Sequence, residues 1–213
     1  VQASVSVKRI DKYMNASELS ENAVIKINSP SENGRQKSTY KPNPNNFAIK
    51  MTDASFKWST DDQNTCLQNI SFEIPKQSLV AVVGQVGSGK SSLLSAILGE
   101  MEPSVENDLK VASSRLEKSL VTVDGSIAYA AQQAWIQNAT LKNNILFSKT
   151  IDENRYQKVI EACALLPDLD MLSAGDETEI GEKGINLSGG QKQRVSLARA
   201  SYSNADIFLL ADP

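Results

Sequence analysis

The stretch Leu79-Val-Ala-Val-Val-Gly-Gln-Val-Gly-Ser-Gly-Lys-Ser91 decides how the rest of this chain is read. Leu79–Val83 is an unbroken apolar run, the pattern of a strand buried on both faces. Gly84–Ser91 then has the spacing G-x-x-x-x-G-K-S, and Lys90 to Leu98 reads as a helix. A strand, a glycine-rich turn and a helix in that order aim successive backbone N–H groups, and the positive end of the helix dipole, at one point. Glycines let the backbone wrap close to a phosphate, the Lys90 ammonium neutralises its oxygens, and the Ser91 hydroxyl suits Mg2+. The residues predicted to hold nucleotide phosphates are therefore Gly84, Gln85, Val86, Gly87, Ser88, Gly89, Lys90, Ser91 and Ser92.

Composition narrows the function classes. With 213 residues the chain is long enough for one well-buried α/β domain with extensions. A mean hydropathy of -0.30 and the lack of any apolar stretch near the roughly 18 to 20 residues of a bilayer span predict no transmembrane segment. A net charge of -3 offers no basic face, so no nucleic-acid partner is expected. Cys66 and Cys163 stand far apart, without metal-ligand spacing, and read as free thiols. The absence of histidine removes the usual general base, so any hydrolysis must use carboxylates or a residue the chain lacks. Val1 in place of an initiator Met, and an end at Pro213 just after an apolar run, predict a piece of a longer protein.

Outward from the loop, Val7, Ile10 and Met14 recur at helical spacing among Lys8, Arg9, Asp11 and Lys12, predicting a short amphipathic helix within residues 1–19. Residues 20–46 are rich in Ser, Asn, Pro and Lys and read as a linker. The folded domain is expected over 47–213. It opens with antiparallel strands at Phe47 to Met51, Ala54 to Trp58 and Ile70 to Ile74. A polar insertion spans 104–122, and a strand follows at Ser126 to Tyr129. Helices are expected around Tyr156 to Cys163 and from Gly189 to Ala200, with a last buried strand at Ile207 to Leu210. Alternating strands and helices imply an α/β fold with a mostly parallel core.

A second motif lies in Asn186-Leu-Ser-Gly-Gly-Gln-Lys-Gln-Arg-Val-Ser-Leu-Ala-Arg-Ala200. Ser-Gly-Gly before a helix is by itself an ordinary turn, but beside the phosphate loop it carries more. Together the two resemble the ABC ATPases, whose signature segment sits at a helix N-terminus and contacts ATP held by a partner domain. On that resemblance Leu187, Ser188, Gly189, Gly190 and Gln191 are the signature, a hydroxyl and close-approaching N–H groups at the positive end of a helix. Trp58 matches the aromatic that stacks on adenine, and Ala131-Gln-Gln-Ala-Trp-Ile136 looks like the Q-loop, with Gln132 near Mg2+ or the attacking water. Ala164-Leu-Leu-Pro-Asp-Leu-Asp170 and Glu179-Ile-Gly-Glu-Lys-Gly184 resemble the multidrug-resistance-associated, or C, subfamily, and within it the first nucleotide-binding domain.

The resemblance implies a P-loop NTPase fold of ABC type, with a mostly parallel core sheet, an antiparallel β subdomain and an α-helical subdomain. It also implies ATP and Mg2+ as ligands, and transmembrane domains of the same transporter and a second nucleotide-binding domain as partners. Such a domain lies at the cytosolic face of a membrane, held there through its parent protein. The family places a magnesium-binding Asp and then a catalytic carboxylate after the last strand, where this chain reads Ala211, Asp212 and Pro213. Asp212 takes the catalytic position, shorter by one methylene than the usual Glu, while the metal position carries no carboxylate. Weak hydrolysis by this chain alone is expected, and an alternative reading is a regulatory ATP-binding module with turnover in a partner domain. A soluble ABC ATPase of the DNA-repair kind would want a long coiled-coil insertion, and the short polar segment from Pro103 to Val121 argues against it.

Overall fold

The computed structural model describes residues 2–15, 24–27, 46–59, 62, 64–104, 121–181 and 186–211. The chain forms two compact units, one from residues 1–25 with 45–123, the other from 26–44 with 124–213. The amphipathic helix is present as α1, Gln2–Met14, and its apolar residues Val7, Ile10 and Met14 are exposed.

The first unit is built on β2, Phe47–Lys57, which pairs antiparallel with β3, Leu67–Pro75, with β4, Glu102–Pro103, and with β5, Val121–Asp124. A short strand β1, Val24–Ile27, lies beside β5, in a span whose composition predicts linker. Val24, Ile25 and Ile27 are aliphatic β-branched residues within that polar stretch. Phe47, Ile49 and Met51 point inward on β2, and so do Ala54 and Phe56, which are in the opposite phase. Asp53 resolves the conflict. It sits at φ 46°, and the ladder steps three residues on β2 against two on β3 there, a bulge that restores the inward face. Two strands are thus expected where the chain makes one bent strand.

Helix α2, Lys90–Leu98, begins at Gly89 and stops at Gly99, whose φ of 87° allows Gly99 and Glu100 to donate to the carbonyls of Ala96 and Ser95. The expected strand at Leu79–Val83 is not formed. Leu79 is 100% and Val83 88% exposed, and none of the described strands pairs with this run. An apolar run supplies side chains for a core but not the hydrogen-bonded neighbours that a doubly buried strand needs on both edges.

In the second unit β6, Ile127–Ala130, pairs parallel with β9, Ile207–Leu210. This pair is parallel, whereas in the largest described sheet β2 pairs antiparallel with β3, β4 and β5, so the described strands form a mixed arrangement rather than the expected mostly parallel core. On β9 Ile207 and Leu209 are buried but Phe208 and Leu210 are exposed, so the strand covers one face rather than two. The short β7, Ala139–Thr140, and β8, Glu179–Ile180, pair antiparallel beside a helical cluster. That cluster comprises α3, Leu141–Leu146, α4, Glu153–Ala162, α5, Leu166–Met171, and α6, Gly189–Tyr202. Leu141, Ile145, Tyr156, Ile160 and Val195 form its dry centre. Small residues let α6 approach β6, where Ala128 and Ala130 meet Ala200.

The start of β6 is held to the start of β9 by one side chain, since Asp206 Oδ2 accepts from Ser126 N at 2.8 Å and from Ser126 Oγ at 2.7 Å. Gly125 makes the approach possible. At φ 136°, a Cβ there would lie 2.8 Å from Asp206 Cβ, and neither atom can rotate away. Gly125→Ala is expected to cost about 2–4 kcal/mol, combining backbone strain with overpacking, read as a lowered urea midpoint at unchanged m-value.

Candidate functional site

In the first unit, Gly87 and Gly89 both take the left-handed conformation, at φ 82° and 90°, which carries the loop round into α2. Ser88 N donates to Gln85 O at 3.2 Å, and a Cβ on Gly84 would lie 2.6 Å from Ser88 Oγ. Gly89 is packed on its outer side, where a Cβ would stand 3.2 Å from Leu67 Cδ2, while Gly87 faces open space. As N-cap of α2, Gly89 has no side-chain acceptor for the first-turn amides, and the amide of Leu93 is the one that finds Gly89 O, at 2.9 Å. Lys90 arches back over the loop, its Nζ donating to Gly84 O at 2.9 Å and Gln85 O at 2.8 Å. Ser91 is exposed, whereas Ser92 is buried and its Oγ accepts from Cys66 Sγ at 3.4 Å. Exposed loop residues, left-handed glycines and an ammonium folded over the same loop fit a phosphate chain. Trp58 follows β2 in the same unit and is 51% exposed, as a stacking surface must be, rather than buried as a core Trp would be.

In the second unit, Leu187 is buried in the helical cluster and fixes the chain from which Ser188, Gly189 and Gly190 project into solvent. Asn186 ties this corner to β8, accepting from Gly181 N and donating to Glu179 O, both at 3.2 Å. Ser188 caps α6 in a reciprocal box, with Gln191 N donating to Ser188 Oγ at 3.3 Å and Ser188 N donating to Gln191 Oε1 at 2.9 Å. The other end of the Gln191 amide donates from Nε2 to Asp168 Oδ1 at 3.3 Å. Asp168, on α5 and 3% exposed, is gripped by the Arg194 fork, Nε to Oδ2 at 2.7 Å and Nη2 to Oδ1 at 2.8 Å. The bonds from Arg194 outweigh burial and hold the Asp168 carboxyl below the usual Asp range.

The same helix fastens the Q-loop. Gln193 Nε2 donates to Ala131 O at 3.1 Å, and Arg199 donates to Trp135 O at 2.8 Å and to Asn144 O at 2.7 Å. The Arg199 guanidinium lies against the Trp135 and Phe147 rings, 5.1 and 5.3 Å from their centroids, and burial lowers its pKa. Asn144 is fully buried and accepts from Gln137 N at 2.8 Å, so the loop's end is set by a side chain on α3. Gln132 is exposed at the bend.

The structure therefore gathers the phosphate-loop residues in one unit and joins signature to Q-loop in the other. Asp212 and Gly184 lie outside the described residues. Ala211 is described: it is buried, donates to Ala130 O at 2.9 Å, and brings no carboxylate to the end of β9. Among the described residues no three His, Cys, Asp or Glu side chains form a metal-holding group. Sequence reasoning missed Asp168, Asn144, Gln193, Arg194 and Arg199 as parts of the site. Helical spacing puts 191 and 194 on one face, but nothing local names the partner from α5.

A left-handed glycine loop opening a helix in one unit, and a Ser-Gly-Gly helix cap in the other, define a nucleotide-binding domain of the P-loop class. Residues 67–213 match the ABC transporter family, and the chain belongs to it. Over its whole length the chain is 50% identical to ATP-binding cassette sub-family C member 2 of Mus musculus and 51% identical to ATP-binding cassette sub-family C member 3 of Homo sapiens. It is 46% identical to ABC transporter C family member 8 of Dictyostelium discoideum. It spans 12% of the length of each of these relatives. Among the described residues no helix is long and apolar enough to cross a membrane.

The Asp168–Arg194 pair carries a pH signature. A carboxyl whose folded-state pKa is depressed contributes stability that is complete above the unfolded Asp value and is lost as pH falls through the folded one. The unfolding free-energy gap between wild type and Asp168→Asn should be constant above about pH 5 and narrow as the pH falls below about 4, measured by urea titration at each pH.

Proposed function

We propose that this chain binds ATP with Mg2+ and serves as a first nucleotide-binding domain in an exporter of organic anions or conjugates. One observation carries the proposal: α2 opens at a left-handed glycine with no side-chain cap, under an ammonium folded over the same loop. In this reading Gly84–Ser92 hold the phosphates, Lys90 neutralises their β/γ oxygens, and Trp58 stacks on adenine. Ser91 would contact Mg2+, whose charge would stabilise the transferring phosphoryl group, and Gln132 would approach Mg2+ or the attacking water. Ser188, Gly189 and Gly190 face ATP held by a second nucleotide-binding domain, and Leu187 and Gln191 keep them in place. Transmembrane domains of the same protein choose the substrate and hold this domain at the cytosolic face of the membrane.

Asp212 is the carboxylate assigned to orient the attacking water. Ala211 supplies no metal ligand, which supports low turnover by this chain alone. Family membership does not favour the alternative, a hydrolysis-impaired regulatory ATP-binding module with turnover carried by a partner domain.

Titration with a fluorescent ATP analogue tests the reading. Lys90→Ala should weaken binding by about 10- to 100-fold, the worth of a charge-assisted contact, while MgATP turnover by the isolated chain should not exceed that of the variant by more than a few-fold. Equal affinity of the two proteins would refute the assignment of the loop, and brisk turnover would refute the role given to Ala211.

A further inference from the structure

The carboxylate of Asp168 touches neither predicted phosphate site, yet three side-chain bonds from α6 converge on it, one from Gln191 of the signature segment and two from Arg194. Gln191 has two chemically different ends. Its Oε1 accepts from Ser188 N at 2.9 Å, and its Nε2 donates to Asp168 Oδ1 at 3.3 Å. A carboxylate accepts and does not donate, so only the amide orientation with NH2 toward Asp168 is compatible with it. The reverse orientation would set two acceptors against each other and leave Ser188 N facing an NH2 group. Arg194, one turn further along α6, fixes both oxygens of Asp168 with a fork at 2.7 and 2.8 Å. It also cancels a negative charge that would otherwise stand buried near the positive end of α6, where a phosphate is to bind.

From this geometry we infer that Asp168 is a positioning residue for ATP held by the partner domain. By fixing the orientation of the Gln191 amide it occupies Ser188 N and holds the capped Ser188, whose Oγ accepts from Gln191 N and keeps its own proton to donate, at the head of the exposed Gly189 and Gly190. Gly189 has no neighbour that a Cβ would meet within 4 Å, and both glycines are exposed, so the surface fixed in this way is open to a ligand. The inference rests on the reading of residues 187–191 as the contact to a partner's ATP.

The test uses the full-length protein with one label on this domain and one on the second nucleotide-binding domain, closure being followed by energy transfer as MgATP is added. Asp168→Asn should raise the ATP concentration for half-maximal closure by about tenfold, the worth of a charge-assisted buried hydrogen bond, and leave binding of a fluorescent ATP analogue to this chain's own phosphate loop unchanged. Ile160→Ala, a truncation in the core of the same helical cluster, reports what lost stability alone does. With an equal or greater fall in Tm it should move closure by less than about twofold.

If Ile160→Ala shifts closure as far as Asp168→Asn does, Asp168 is only structural and the inference is overturned. An unchanged midpoint in Asp168→Asn overturns it as well, provided Ser188→Ala shifts the midpoint. If Ser188→Ala also leaves closure unchanged, the reading of the signature fails and the inference falls with it. Should Asp168→Asn not accumulate folded, Asp168→Glu decides the matter, because it keeps the charge but moves the oxygens by one methylene from Gln191. A rise of about threefold supports the inference, and no rise overturns it.

Discussion

The amides at the start of α2 are the constraint on which the site depends. A helix leaves its first four N–H groups without intrahelical acceptors, and most helices cover some of them with a Ser, Thr, Asp or Asn side chain. Gly89 covers none, and at φ 90° it turns the chain from the exposed loop before it into the helix. The amides are left for an anion, and Lys90 lies over the carbonyls of the same loop to balance the charge that an anion would bring.

Helix α6 solves the same problem in the other way. Its N-terminus is closed by the Ser188–Gln191 box, so rigidity rather than vacancy distinguishes it. The box is fastened through Gln191 to Asp168, and the body of the helix reaches the Q-loop through Gln193 and Arg199. One helix thus fixes both the Ser-Gly-Gly segment and the loop from Ala131 to Gln137. A displacement of α6 would be felt at both, without any flexible element between them.

The fold was legible where a local rule decides it. Helices α2 and α6 begin at the glycines of their motifs, at Lys90 after Gly89 and at Gly189 after Ser188, because capping and glycine chemistry act over three or four residues. The run Leu79–Val83 shows the limit, since its hydrophobicity says nothing about which strand will lie on each edge. Asp53 is a second case: an Asp at positive φ joins two out-of-phase patterns into one strand, and the bulge exists only in relation to β3. The phosphate loop was legible for the same reason as its helix. The Asp168–Gln191–Arg194 cluster was not, because one member comes from a helix more than twenty residues away in sequence.

The family match and the loop geometry meet in one claim, that phosphates bind to the amides between Gly84 and Ser91. Amide chemical shifts of the isotope-labelled chain, recorded as MgATP is added, address it without relying on turnover. The account predicts saturable shifts concentrated at Gly87, Ser88, Gly89, Lys90 and Ser91, much larger than those elsewhere on α2. Saturable binding that left these amides unmoved would contradict it.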